Sequence, residues 1–219
     1  MKLAFKTSAL SALIACNLVA LSGCVPLIPL VMGGGVVVGT QVATDRRTSG
    51  TQLEDEGIEI RASNRIRDSL GSRAHVNVTS YNRQVLLTGE VPNAQDKQLV
   101  EQIVSRVDNV RNVVNELAVL GNSTFSQRSS DTLVTGRARA ALVDDKDLVA
   151  SAFKIVTERG TVYMLGRVTK READRATELV RGVTGAQKVV RMLEIISEDE
   201  LARMLPQAPP SGQTPRSSP

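Results

Sequence analysis

The sequence predicts an α+β fold built from two tandem αββαβ units, each a three-stranded mixed sheet with two helices packed on it. Three observations carry that prediction. The run Val85-Leu86-Leu87-Thr88-Gly89-Glu90-Val91 recurs as Val162-Tyr163-Met164-Leu165-Gly166-Arg167-Val168 at an offset of 77, and Val113-Val114 recurs as Val189-Val190 at an offset of 76, so one unit is written twice. Each copy passes from helical period to strand alternation, back to helical period, and ends on a valine-rich run. Composition sets the kind of core: 42% of residues are apolar but only 2% are aromatic, so Val, Leu, Ile and Ala must fill it. An aromatic-lined cofactor or base-stacking site has no material to form from.

In the first copy, residues 53–121, Glu54 to Leu70 reads as helix because Ile58, Ala62, Ile66 and Leu70 fall on one face. Val76 and Val78 alternate, Asn82 supplies a turn, and Val85, Leu87, Gly89 and Val91 point to one side of the next strand. Asn93 caps a second helix carrying Leu99, Val100, Ile103, Val104 and Val107, and Val113 to Val119 is the last strand. In the second copy, residues 128–197, a helix runs from Asp131 to Asp144. Strands near Phe153–Glu158 and Thr161–Val168 flank a turn at Arg159-Gly160, and Thr169 with Glu172 opens the next helix as a capping box. The last strand runs from Gln187 to about Ile196. A short helix with Ser197 and Glu200 in the same capping pattern begins residues 198–219, whose Pro/Ser-rich end, from Pro206, is expected to be disordered. Gly89 and Gly166 sit mid-strand at equivalent positions, where glycine weakens a strand unless another backbone comes close. A helix crossing the sheet is the expected neighbour.

The first residues address the chain to a membrane. Lys2 and Lys6 precede an apolar run, Thr7 to Ala20, too short to span a bilayer, and Leu21-Ser22-Gly23-Cys24 follows. This is the layout of a secretory signal, here residues 1–23, with small residues before a cysteine. Residues 24–52 read as a tether, because Pro26, Pro29 and Gly33-Gly34-Gly35 interrupt the apolar stretch that a spanning helix would need. The triple glycine lacks the Gly-Lys-Ser/Thr ending of a phosphate loop. Removing Lys2 and Lys6 leaves 25 basic and 23 acidic side chains, too even a balance for nucleic-acid binding by charge. Cys16 leaves with the signal, which removes thiol catalysis, disulfides and cysteine metal sites.

Catalysis finds little support. His75 is the only histidine, at the mouth of a strand, and reads as a hydrogen-bonded or solvated residue rather than a general base. No Gly-x-Ser-x-Gly motif occurs, and no Asp/Glu/His cluster has metal-ligand spacing along the chain. Asp144, Asp145 and Asp147 lack the glycine and glutamate of an EF-hand loop. The reading is of a non-enzyme with no cofactor and no metal.

The first helix of the second copy has more apolar surface than a sheet can cover. At about 100° per residue, Val134, Ala138, Ala141 and Leu142 form the stripe that packs inward. Leu133, Gly136, Ala140 and Val143 form a second stripe, flanked by Arg137 and Arg139, suited to acyl chains with phosphates at its edges. The alternative is that this stripe packs against the first copy or a partner protein. In the first copy the face opposite Ile58, Ala62 and Ile66 carries Glu56, Asn64 and Arg67 with Ile60 alone among them, and should stay in water or face the other copy.

The αββαβ order, the paired Val-x-Leu/Met-x-Gly-x-Val strands, the Thr169-x-Arg171-Glu172-Ala173 helix start and the Val-Val strand resemble the BON domain. Two such domains behind a Ser22-Gly23-Cys24 lipobox, with the stretch Ala43 to Gln52 between, resemble the dual-BON outer-membrane lipoproteins. The resemblance implies acyl (palmitate-type) chains on Cys24 and, with Val25 rather than Asp after it, sorting to the outer membrane with a periplasmic face. It also implies a non-enzymatic protein whose second BON domain contacts anionic phospholipid through its first helix, supporting envelope integrity and cell division. A protein-interaction adaptor for envelope assembly or cell-wall machinery is the competing function.

Overall fold

The computed structural model describes residues 45–204, and the predicted signal, Cys24, most of the tether and the Pro-rich tail lie outside them. The order is α1 (Ser49–Leu70), β1 (His75–Tyr81), β2 (Gln84–Val91), α2 (Ala94–Ser105), β3 (Asn112–Asn115) and β4 (Ala118–Val119) in the first unit. It continues with α3 (Phe125–Asp144), β5 (Phe153–Glu158), β6 (Thr161–Thr169), α4 (Lys170–Arg181) and β7 (Lys188–Ile196), then α5 (Glu198–Met204). In each unit an antiparallel hairpin is joined by a parallel last strand, β1-β2-β3 and β5-β6-β7. The predicted Val113–Val119 strand is broken in two at Glu116 and Leu117: the Glu116 amide still donates to the Leu87 carbonyl, but the Leu117 amide donates to Asn115 Oδ1 at 3.2 Å and the Leu117 side chain is buried in the helix-side core.

Two helices start earlier than periodicity indicates. The Thr48 side chain caps α1 at Ser49, within the stretch read as tether, rather than at Glu54. α3 begins at Phe125 rather than Asp131, opened by a capping box in which Thr124 and Gln127 satisfy each other's backbone amides. Apart from Leu53 and Phe125, both exposed, the added residues are polar or glycine, so the buried apolar period does not mark them. The predicted Thr169–Glu172 box is present, whereas at α5 only the Ser197 half forms, accepting from the Glu200 amide at 3.1 Å. The Glu200 carboxylate instead takes Arg167 at 2.9 Å.

A buried aspartate on the first helix of each unit explains how the duplicated hairpins are held. Asp55 accepts from the amides of Asn82 and Arg83, both at 2.8 Å, and Asp131 accepts from those of Arg159 and Gly160 at 2.9 and 2.8 Å. These are the two-residue turns, and both residues of each turn have positive φ, the type I′ requirement. The aspartates are therefore turn clamps, one per copy.

The sheets bury both faces. Val85, Leu87 and Val91 point to α1 and α2, while Val162, Met164 and Val168 point to α3 and α4. The alternate residues meet across the units: Tyr81 and Leu86 pack with Tyr163, Leu165 and Met192. The layers thus run helices, sheet, sheet, helices, which the alternation of period 2 requires once both faces are apolar. Arg46 and Arg47 fasten the seam. Arg46, with 5% of its side chain exposed, grips both Glu172 oxygens at 2.7 Å in the second unit. Arg47 reaches Asp55 at 2.8 Å in the first unit and lies 4.2 Å from the Tyr81 ring centre.

Gly89 has φ +109, and a Cβ there would stand 2.0 Å from the His75 carbonyl oxygen; at Gly166 it would stand 2.5 Å from that of Ala152. The close neighbour is the backbone at the start of the partner strand, not a crossing helix as expected. The reason is that each glycine lies opposite the first turn of chain entering the hairpin.

Candidate lipid-contact surface

Because the second sheet packs on the first through one face and on α3 and α4 through the other, the outer side of α3 meets no protein among the described residues. Val134, Ala138 and Leu142 are buried. On the far side Leu133 is 60% and Val143 69% exposed, and Gly136, Ala140, Arg137 and Arg139 are exposed as well. The first unit does not cover this stripe. On α1, Leu53 and Ile60 are also exposed, but Ile60 stands among Glu56, Asn64 and Arg67, as expected for a face in water.

Sequence reasoning missed the most exposed member of the ridge. Phe125 is 80% exposed and, eleven and eighteen residues before Gly136 and Val143, lies within about 20° of both on the helix. It prolongs the stripe by two turns and adds a ring of the kind found on the apolar face of helices that lie in a membrane surface. The Thr124-x-x-Gln127 spacing is the signal that could have found it.

The guanidinium groups around the ridge carry charge without carboxylate partners. Arg128, Arg137 and Arg139 make no ion pair among the described residues. Arg137 donates to the Thr184 carbonyl at 3.2 Å and Arg139 to the Ile155 carbonyl at 3.3 Å, which holds them at the edges and leaves other N–H groups outward. Arg139 and Val143 also border a cleft of about 390 Å³ whose walls include Phe153, Lys154, Arg47 and Asp45. The first described residue therefore sits beside the C-terminal end of the ridge. Asp45 is ionised more readily than usual: burial opposes this, and the Arg47 side chain and amide outweigh it.

His75, read from the sequence as a hydrogen-bonded strand residue, makes a 3.0 Å contact from Nδ1 to the fully buried Glu90. The fold brings Glu158 of the second unit to the same point, a convergence that spacing along the chain does not reveal.

The BON domain profile matches residues 55–121 and 130–197, which are the two units described above. The chain belongs to the BON-domain family and carries the domain twice. It is 35% identical over 178 residues to "Outer membrane lipoprotein DolP" of Haemophilus influenzae, a match covering 80% of this chain and 90% of that protein. It is 30% identical over 154 residues to the "21 kDa hemolysin" of Actinobacillus pleuropneumoniae, covering 69% and 79%. Among solved structures, the structural protein CdsD of the Chlamydia trachomatis type III secretion system aligns with 72% of this chain and 99% of its own at 12% identity and a TM-score of 0.28. Among the described residues no helix is long and apolar enough to cross a membrane.

Proposed function

We propose that this chain is a non-enzymatic lipoprotein of the outer membrane, anchored at Cys24 and facing the periplasm, that binds anionic phospholipid through the outer side of α3 and supports envelope integrity, including at the division site. The observation that carries the reading is the ridge itself. Phe125, Leu133 and Val143 are open to solvent on a helix whose other face is already buried, and arginines without acidic partners rim it. The similarity to an outer membrane lipoprotein over most of both chains supports the anchor and the compartment.

At the low end of about 1.5 kcal/mol per inserted apolar side chain and about 1 kcal/mol per basic residue near an anionic surface, three of each supply on the order of 7 kcal/mol, a contact near ten micromolar. The test uses a soluble form lacking residues 1–24 and anionic vesicles. This form retains all of the described residues 45–204 and hence both units with their cores. Leu133→Glu and Phe125→Ser should each abolish most binding. Ile60→Glu, at a site equally exposed on α1, should leave it unchanged, and raising the salt should weaken the wild type. Binding that is absent in the wild type, or reduced equally by Ile60→Glu, would leave the exposed helix to a protein partner.

A further inference from the structure

One cluster at the seam between the units plays no part in the lipid reading. We propose that His75, Glu90 and Glu158 form a site for a divalent transition-metal ion of the zinc class, which ties the first unit to the second. The three residues each present a ligand atom, and those atoms lie within 4.8 Å of one another. His75 and Glu90 come from β1 and β2, and Glu158 from β5 of the other unit. Ligands around tetrahedral zinc, at about 2.0 Å each, stand roughly 3.3 Å apart, so side-chain rotations of about 1 Å complete the geometry.

The carboxylates are positioned for this. Glu90, fully buried, has Oε1 held by Arg159 Nη1 at 3.2 Å and Oε2 turned to His75 and the Ser123 amide at 3.0 and 3.1 Å. Outer partners of this kind fix the direction of a ligating oxygen. Glu158, 7% exposed, accepts from Asn77 Nδ2 at 2.8 Å on Oε2 alone, and among the described residues no hydrogen bond reaches Oε1. Glu158 and His75 border a cavity of about 280 Å³, which gives a fourth position to water.

Charge points the same way. Glu90, Glu158 and Asp131 gather on one corner, faced by Arg159 and, across the cavity, Arg128. A divalent cation at this corner would balance the gathered carboxylates. One imidazole with two carboxylates and an open position is a donor set for zinc; calcium and magnesium take six or more oxygens.

The experiment titrates ZnCl2 into the EDTA-stripped mature protein in detergent micelles, made without a polyhistidine tag. Expected are one-to-one binding at micromolar concentration or tighter, a heat that varies with buffer as a proton is released, and a melting temperature higher by several degrees. Cobalt should give the visible band of a tetrahedral site. His75→Gln and Glu158→Gln should weaken binding by at least about tenfold, the scale on which even outer-shell losses register, with Asp108→Asn at an exposed site as the control. Melting of each variant without metal shows that it is folded; Glu158→Gln retains the Asn77 contact should His75→Gln lose its fold. No stoichiometric binding by the wild type, or undiminished binding by the folded variants, overturns the assignment.

Discussion

Three glycines give a ranked test of the fold, because the structure separates two costs that usually come together. At Gly89 an added methyl meets the His75 carbonyl oxygen at 2.0 Å, against 3.4–4 Å for ordinary contact, and φ is +109. Gly89→Ala therefore combines a strained backbone, about 1–3 kcal/mol, with overpacking against a strand that cannot move alone, again about 1–3 kcal/mol. The expected loss is about 2–6 kcal/mol. Gly166 has its Cβ position 2.5 Å from the Ala152 carbonyl oxygen but no left-handed φ, so Gly166→Ala pays only the overpacking. Gly136 has nothing within 4 Å and lies inside α3, so Gly136→Ala should gain up to about 1 kcal/mol of helix propensity. Urea unfolding of the soluble form, with m-values held in common, measures all three. A Gly89→Ala loss under 1 kcal/mol, or one smaller than that of Gly166→Ala, would mean that the strand-entry contact is not what the glycines serve.

Two further outcomes concern the seam. The Glu172 carboxyl is opposed by burial but held below the ordinary carboxylate range by Arg46 and the Thr169 amide. A depressed carboxylate stabilises above its unfolded pKa of about 4.5 and loses that contribution as pH falls through the folded value. Melts from pH 7 downward should therefore show Arg46→Ala less stable at neutral pH, by about 3–5 kcal/mol for a broken buried pair, with the gap to wild type closing in acid; a gap independent of pH would deny the pair its role. Leu86 and Leu165, both fully buried, meet between the sheets, so Leu165→Ala should cost about 2–5 kcal/mol. It should lower one shared unfolding transition, and a second unit that melts separately would show the sheets to be uncoupled.

The duplication, the element order and the inward faces were legible because burial writes period 3.6 and period 2 directly into the sequence. Ile58, Ala62 and Ile66, or Val85, Leu87 and Val91, need no tertiary information to be read. What period cannot write stayed hidden. The first turns of α1 and α3 are held by Thr48, Thr124 and Gln127, polar residues whose work is hydrogen bonding. Asp55 and Asp131 look like solvated helix residues until the hairpin folds over them. The neighbour of each glycine depends on where the chain enters the hairpin, and the meeting of His75 with Glu158 depends on how two units stack. The ridge was half legible: Leu133 and Val143 stand out as surplus apolar positions, whereas Phe125 belongs to them only once the helix is known to begin there.

The proposed anchor sets how strong the ridge must be. Under the proposed anchorage at Cys24, the 21 residues from there to Asp45 would reach at most about 75 Å and would keep the two units near the surface at an effective concentration in the millimolar range. Against that concentration a contact of about ten micromolar is nearly always made, so the ridge needs no large apolar area to lie on lipid in the anchored protein. In the proposed mature form acylation would block Cys24 and Cys16 would leave with the signal, so a single introduced thiol would carry a fluorophore. Leu133→Cys and Ile60→Cys start from matched exposures of 60% and 62%. In proteoliposomes of the acylated protein, a quencher confined to the lipid phase should quench the label at 133 strongly and that at 60 weakly. Equal quenching at the two positions would mean that the anchor alone holds the protein to the membrane and that α3 faces water.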